Sequence, residues 1–240
     1  HFRSRSRSDN HVNGCNCGGS HREGSVLCLF NYLHSFQRVY HSGRSIVMFP
    51  ILGIMASQIS GHLDAGAYES IATVTVGSPV SSITFSSIAA DWKHLQIRYL
   101  AASTRATYGF DQMYMRFNSD TGSNYSSHQL IGNGSSATAA AQTSATSMTI
   151  GDRNIGAAMP NTFGAGVIDV LDYQNSSKHK TARSLTGIDN NGTYDGTYYP
   201  YINFSSGLWQ STVAVNAVSF TAQNGDFKQY SSFALYGIKG

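Results

Sequence analysis

The chain has 240 residues, of which 41% are hydrophobic and only 12% charged, with 24 Gly, 4 Pro, 14 Tyr and 12 Phe. That charge content is about half the usual quarter, which excludes a charge-rich disordered chain, a long coiled coil and a helical bundle with a charged surface. No run of about 20 apolar residues exists to insert in a membrane, and the formal charge of +3 is too small to make a nucleic-acid surface.

The positive charge belongs to the first quarter. Residues 1–55 hold six arginines against Asp9 and Glu23, while the remainder holds ten Lys/Arg against eleven Asp/Glu. Cys15, Cys17 and Cys28 lie there too, so the rest of the chain has no disulfide to form. A structural zinc site takes four ligands in two spaced pairs, and these cysteines with scattered histidines do not supply that spacing. The stretch RSRSRSDNHVNGCNCGG has no helical or strand period. IVMFPILGIMA, residues 46–56, follows Arg44 as a signal-peptide core would, but Pro50 and Gly53 interrupt it. We expect residues 1–54 to be a disordered or spurious N-terminal extension, with Met48 and Met55 both open as the start, and residues 55–240 to form the folded domain.

From Tyr68 the pattern turns to period two. Ile71, Thr73 and Thr75 alternate with Ala72, Val74 and Val76 until Gly77-Ser78-Pro79 stops the run. Ser82–Phe85 reads as a strand. Leu95, Ile97 and Tyr99 alternate with Gln96 and Arg98, and Met113, Met115 and Phe117 alternate with Tyr114 and Arg116, as half-buried strands do. Ser127–Ile131 is a further short strand. Residues 135–146 are nearly all Ser, Ala, Thr and Gln, with no caps and no apolar stripe, and are expected to form a loop. Strands are then expected over Ser147–Ile150, Phe163–Leu171 and Thr181–Leu185, a long Gly/Asn/Tyr loop over Gly187–Phe204, and final strands over Val213–Thr221 and Ser232–Ile238.

Eight to ten short strands at hairpin spacing, with no amphipathic helix between them, point to an all-β fold: an antiparallel β-sandwich, jelly-roll-like. The expected core is Ile71, Val74, Ile83, Phe85, Leu95, Ile97, Met113, Met115, Phe117, Val167, Leu171, Leu185, Leu208, Trp209, Val218, Phe220, Phe233 and Leu235. Strands so poor in charge have weakly defended edges. Such a protein is better placed inside an assembly, which predicts a homo-oligomer.

HLQIRYLA, YMRFNSDTGSNYSSHQL, NTFGAGVIDVLDY, TARSLTGIDNNG, SGLW and the closing YSSFALYGIKG resemble a family of tailed-phage virion proteins. The resemblance covers about residues 60–240, and FALYGIKG is its most specific element. It implies a β-sandwich of structural or tail-fibre type, located in the virion and partnered by copies of itself and other virion proteins. It brings no catalytic residues, and the stretch 194–201 departs from the shared pattern.

Motifs for chemistry are missing. No GxSxG, Walker loop, HExxH or paired CxxC occurs. His62, His94, His128 and His179 are far apart, and Asp169 and Asp172 fall on opposite faces of one strand. Asp169 is expected to pair with Arg98 or Arg183, because buried charges are paired. No catalytic residue is therefore nominated and no cofactor is expected. Asp189, Asn191 and Asp195 alternate like the start of a calcium loop, but Tyr194 and Pro200 replace the glycine and glutamate of an EF-hand. They remain a weak calcium candidate. Tyr194, Tyr198, Tyr199, Tyr201 and Phe204 crowd one expected loop, where rings could stack on a host-surface glycan or on a protein. The function these readings favour is a non-enzymatic phage structural or adhesion module (tail fibre, head fibre or capsid decoration) used in host attachment. The alternative is a carbohydrate-binding or carbohydrate-active β-sandwich outside a particle, which would need two converging carboxylates if it were a glycosidase.

Overall fold

The computed structural model describes residues 66–189 and 200–240. The expected extension over residues 1–54 lies outside them. Fourteen strands follow in chain order: β1 Tyr68–Thr75, β2 Ser82–Phe85, β3 His94–Ala101, β4 Phe110–Asp111, β5 Met113–Phe117, β6 Tyr125–Gly132, β7 Ala137–Ala145, β8 Met148–Thr149, β9 Ile155–Gly156, β10 Gly164–Leu171, β11 Lys180–Ile188, β12 Tyr201–Trp209, β13 Val218–Ala222 and β14 Ser232–Ile238. No helix occurs among the described residues.

An eight-stranded sheet runs β1-β14-β3-β10-β11-β12-β6-β7, and a four-stranded sheet runs β2-β13-β5-β8. All their pairings are antiparallel. The two faces meet over one core, so the described residues form an all-β sandwich.

Alternation decides which side chains enter that core. In β3, Leu95, Ile97 and Tyr99 point inward, and in β5, Met113, Met115 and Phe117 do the same. Phe233 of the large sheet stacks on Tyr99 with ring centroids 5.7 Å apart and on Phe220 of the small sheet at 5.4 Å. Phe227 meets it edge-on at 5.1 Å. A second aromatic group stands nearer β6. There Trp209 packs against Phe117 and Tyr125, and its Nε1 donates to Asp120 Oδ2 at 2.7 Å.

Several expectations are corrected. Residues 137–145 form a strand, not a loop, because β7 takes its backbone partners from β6 although its side chains stay exposed through Ser144. The expected loop over Gly187–Phe204 is shorter: β11 runs to Ile188 and β12 starts at Tyr201. The strand expected from Val213 begins only at Val218, since residues 213–217 run irregularly beside Tyr173. Leu171 and Leu185 are exposed and Val167 is only half-buried, because they sit on the outer face of β10 and β11.

The turn after β10 is held by charge. Asp172 accepts from Lys178 Nζ at 2.9 Å and pairs with Lys93 Nζ at 3.1 Å. The Lys178 hydrogen bond, then that of Lys93, lowers its pKa to about 2 from 3.8. A lowered carboxylate pKa contributes stability that is complete above pH 3.8 and is lost as pH falls toward 2. Asp172→Asn should therefore flatten the fall in melting temperature between about pH 4 and pH 2. A pH titration of thermal unfolding on both proteins measures it, and parallel curves would contradict this account of the turn.

Candidate functional site: the outer face of the large sheet

The two faces of β11, β12 and β6 carry the reverse of ordinary polarity. Inward-facing Ser184, Thr186, Asn203, Ser205, Ser127 and Gln129 are buried. Outward-facing Leu185, Ile202, Phe204 and Leu130 are 55%, 59%, 50% and 57% exposed.

The inner half has a physical reason. The segment from Met148 to Asn154 crosses that face largely as irregular chain, and a buried backbone must find hydrogen-bond partners. The strands supply them from side chains. Thr149 N donates to Ser127 Oγ at 3.0 Å and Asp152 N to Gln129 Oε1 at 2.9 Å, while Asn203 Nδ2 donates to the Asp152 carbonyl at 2.6 Å. Ser184 Oγ donates to the Ile150 carbonyl. The approach is close enough that a Cβ on Gly151 would overlap Thr186 Oγ1, and one on Gly207 would overlap Met148 Sδ. Among the described residues no segment covers the outer half in this way.

The outer side chains form rows across the strands. Val167, Leu185, Phe204, Leu130 and Ala139 stand directly opposite one another in turn, on β10, β11, β12, β6 and β7. This is a ridge of bulky groups ending on alanine. Two residues along each strand lies a second row, Ala165, Gly187, Ile202, Gly132 and Ala137. Its small residues open a groove of about 890 Å³ lined by Gly132, Ala165, Gly187 and Ile202 among others. A smaller groove of about 450 Å³ lies between Phe204, Leu130 and the alanines of β7. No charged residue occurs in either row. Charge enters only in the flanking rows, with Asp169 opposite Arg183 on one side and Asp189 on the other. Asp169 accepts from Gln96 Nε2 at 2.8 Å, so its hydrogen-bond partner is the amide and not the expected arginine.

β7 ends this sheet. It is nine residues long, uncharged, and exposed along its length to Ser144; its register with β6 shifts near Ser144, but it carries neither the lysine nor the proline that commonly guards such an edge.

The residues singled out from the sequence fare unequally. Phe204 is exposed, on the ridge. Tyr201 is buried: its ring meets Phe110 edge-on at 5.6 Å, and its hydroxyl accepts from the Arg153 guanidinium at 2.8 Å. Arg153 lies 5.2 Å over Phe110, and Arg105 continues the stack 4.5 Å over Tyr108. Tyr201 therefore closes one end of the sandwich and offers no ring face to a sugar. Tyr194, Tyr198 and Tyr199 lie outside the described residues. Asp189 sits at the exposed end of β11, while Asn191 and Asp195 lie outside the described residues. Among the described residues no group of three or more His, Cys, Asp or Glu side chains could hold a metal ion. Asp111 is fully buried and occupied by Ser103 Oγ at 2.7 Å, Asn224 Nδ2 at 2.9 Å and Gln112 N at 2.9 Å.

Leu130, Leu185 and Ile202 were not legible as surface residues. The sequence shows them alternating with Ser, Asn, Thr and Gln, and alternation alone does not say which set faces out. No protein family, characterised protein or solved structure matches the chain.

Proposed function

We propose that this chain is a structural or adhesion module of a tailed-phage virion, working by surface contact and not by catalysis. The observation that carries the contact part is the inverted polarity of β11, β12 and β6, which leaves large apolar side chains facing outward in one continuous patch. Monomeric proteins rarely expose contiguous apolar patches beyond a few hundred Å², and larger ones mark interaction surfaces. The virion part is supported by the segments that resemble phage proteins. HLQIRYLA is β3, FALYGI falls in β14, the GAGVIDVL and TARSLTGI runs fall in β10 and β11, YMRFNSDTGSNYSSHQL runs from β5 into β6 and SGLW ends β12, so the segments that resemble phage proteins are strands of both sheets. A rigid sheet presenting an apolar patch, repeated in many copies, gives avidity without any single strong site. Tail fibre, head fibre and capsid decoration are all compatible with that mode of action.

The test is cosedimentation. The labelled full chain, mixed with tailed-phage particles and with host cells from its source, is expected to pellet with one of them. Leu185→Ser with Phe204→Ser should reduce that retention about tenfold or more, as loss of central apolar anchors does. A chain that stays in the supernatant with both overturns the proposal.

A further inference from the structure

Four asparagines of the chain stand directly before a glycine: Asn13, Asn133, Asn191 and Asn224. Such a pair carries its own chemistry. The glycine backbone nitrogen can add to the asparagine Cγ and close a succinimide ring. Attack within one molecule gains rate from proximity, and glycine brings no Cβ to obstruct it. Asn13 and Asn191 lie outside the described residues. Asn133 and Asn224 sit in surroundings that are opposite, atom by atom.

Asn133 and Gly134 belong to the turn between β6 and β7, where Asn133 N donates to the Ser136 carbonyl at 3.2 Å. The Asn133 side-chain oxygen, Oδ1, accepts from Ser136 N at 2.8 Å, Ser135 N at 3.0 Å, Ser135 Oγ at 3.1 Å and Ser136 Oγ at 3.2 Å. Donors converging on a carbonyl oxygen draw charge from its carbon and stabilise the oxyanion that forms when a nucleophile adds. The two nitrogens that must move are unheld among the described residues. Neither Gly134 N, the nucleophile, nor Asn133 Nδ2, the leaving group, makes a hydrogen bond there. Gly134 is exposed with φ of 84°, and a Cβ on it would meet nothing within 4 Å, so the turn has room for the ring to close.

At Asn224 the pattern is reversed. Its Nδ2 donates to Asp111 Oδ1 at 2.9 Å and to Gln223 Oε1 at 3.0 Å, so the leaving group is held. Its Oδ1 accepts nothing among the described residues. Gly225 is packed tightly enough that a Cβ on it would overlap Arg105 N and Ser103 Oγ, each 2.7 Å away. Conversion would also set a new carboxylate against Asp111, which is completely buried, and like charges so placed disfavour one another strongly.

We propose that Asn133 is a self-modification site. Gly134 N bonds to Asn133 Cγ, the Cγ–Nδ2 bond breaks, and the Gly134 proton leaves with the amide nitrogen as ammonia. Water then opens the succinimide to aspartate or isoaspartate. Ser135 and Ser136 are positioning residues that act through the Asn133 oxygen. Gly134 also lines the larger groove of the outer face, so the conversion sets a negative charge beside rows that carry none.

Incubation of the full chain at neutral pH, with fragmentation of its tryptic peptides at intervals, locates each amide-to-acid conversion and separates aspartate from isoaspartate. Asn133 is expected to convert at least about tenfold faster than Asn224, a difference of about 1.4 kcal/mol in barrier. In urea concentrated enough to unfold the chain both sets of contacts are lost, and the two rates should come within about threefold of each other. Ser135→Ala with Ser136→Ala removes two of the donors and should slow Asn133 about fivefold in the folded chain, with its rate in urea unchanged. Both serines are exposed, so the melting temperature should hardly move. Ser135→Thr with Ser136→Thr keeps both hydroxyls and should restore the rate. A folded chain whose Asn133 keeps its amide, or converts no faster than Asn224, overturns the proposal. An alanine double variant as fast as wild type overturns it too, because the turn would then add nothing to the bare dipeptide.

Discussion

Phe233→Ala is expected to lower the unfolding free energy by about 3–5 kcal/mol, the range for truncating a buried Phe. Phe233 is fully buried on β14, and its ring bridges the two sheets, meeting Tyr99 beside it, Phe220 across the sandwich and Phe227 at its edge. Tyr99 and Phe220 are fixed by the ladders of β3 and β13, and Phe227 by isolated bridges to Val80 and Ser103, so they cannot collapse into the space left behind. The cost then includes a cavity as well as lost transfer energy. Phe233→Leu keeps most of the volume and should cost about 1–2 kcal/mol. Urea unfolding measures both. Equal and small losses would mean that the sheets are not joined through this ring.

Lys180→Met should cost about 2–4 kcal/mol for a different reason, the exposure of buried acceptors left without a donor. Lys180 opens β11 and is completely buried, which is rare for lysine. Its ammonium donates to the carbonyls of Asn175 at 2.6 Å, Lys178 at 2.9 Å and Thr212 at 3.1 Å. It thereby ties the turn after β10 to the irregular chain after β12. Burial holds its pKa below the ordinary lysine value. Methionine matches the stem but returns nothing to the three carbonyls. Arginine brings donors in a planar fork where these acceptors are arranged around a point charge, so Lys180→Arg should not rescue. Chemical denaturation of the three proteins checks the order; a methionine variant as stable as wild type would remove Lys180 from the account of the fold.

The fold class could be read directly, because alternation in β3 and β5 puts Leu, Ile, Met and Phe on one side and polar or charged residues on the other. The same device misleads in β11 and β12. TARSLTGI and YINFSSGLW alternate as cleanly, and the natural assumption sends Leu185 inward. What reverses it is tertiary: the Met148–Asn154 chain needs the hydroxyls and amides, so these take the inner face and the apolar set is left outside. No local pattern in β12 announces a segment more than fifty residues earlier. β7 is hidden in the sequence for a related reason. ATAAAQTSA has no apolar stripe because neither face of it is buried, and its existence depends on the backbone of β6. Tyr201 reads as a loop aromatic because the Gly/Asn/Tyr-rich stretch before Phe204 hides β12, which is not among the strands expected from the sequence; as the first residue of that strand it turns into the Phe110–Ile131–Ile188 group.

Oxidative footprinting of Leu130, Leu185 and Phe204, with the chain free and with it retained on phage particles or host cells, tests the central claim, that the outer face of the large sheet is made for contact. The account predicts strong labelling of all three side chains in the free chain and protection of all three on retention, with Leu171 on the far flank unchanged. Labelling that stays constant on the ridge in the retained chain would show the contact to be elsewhere and would contradict it.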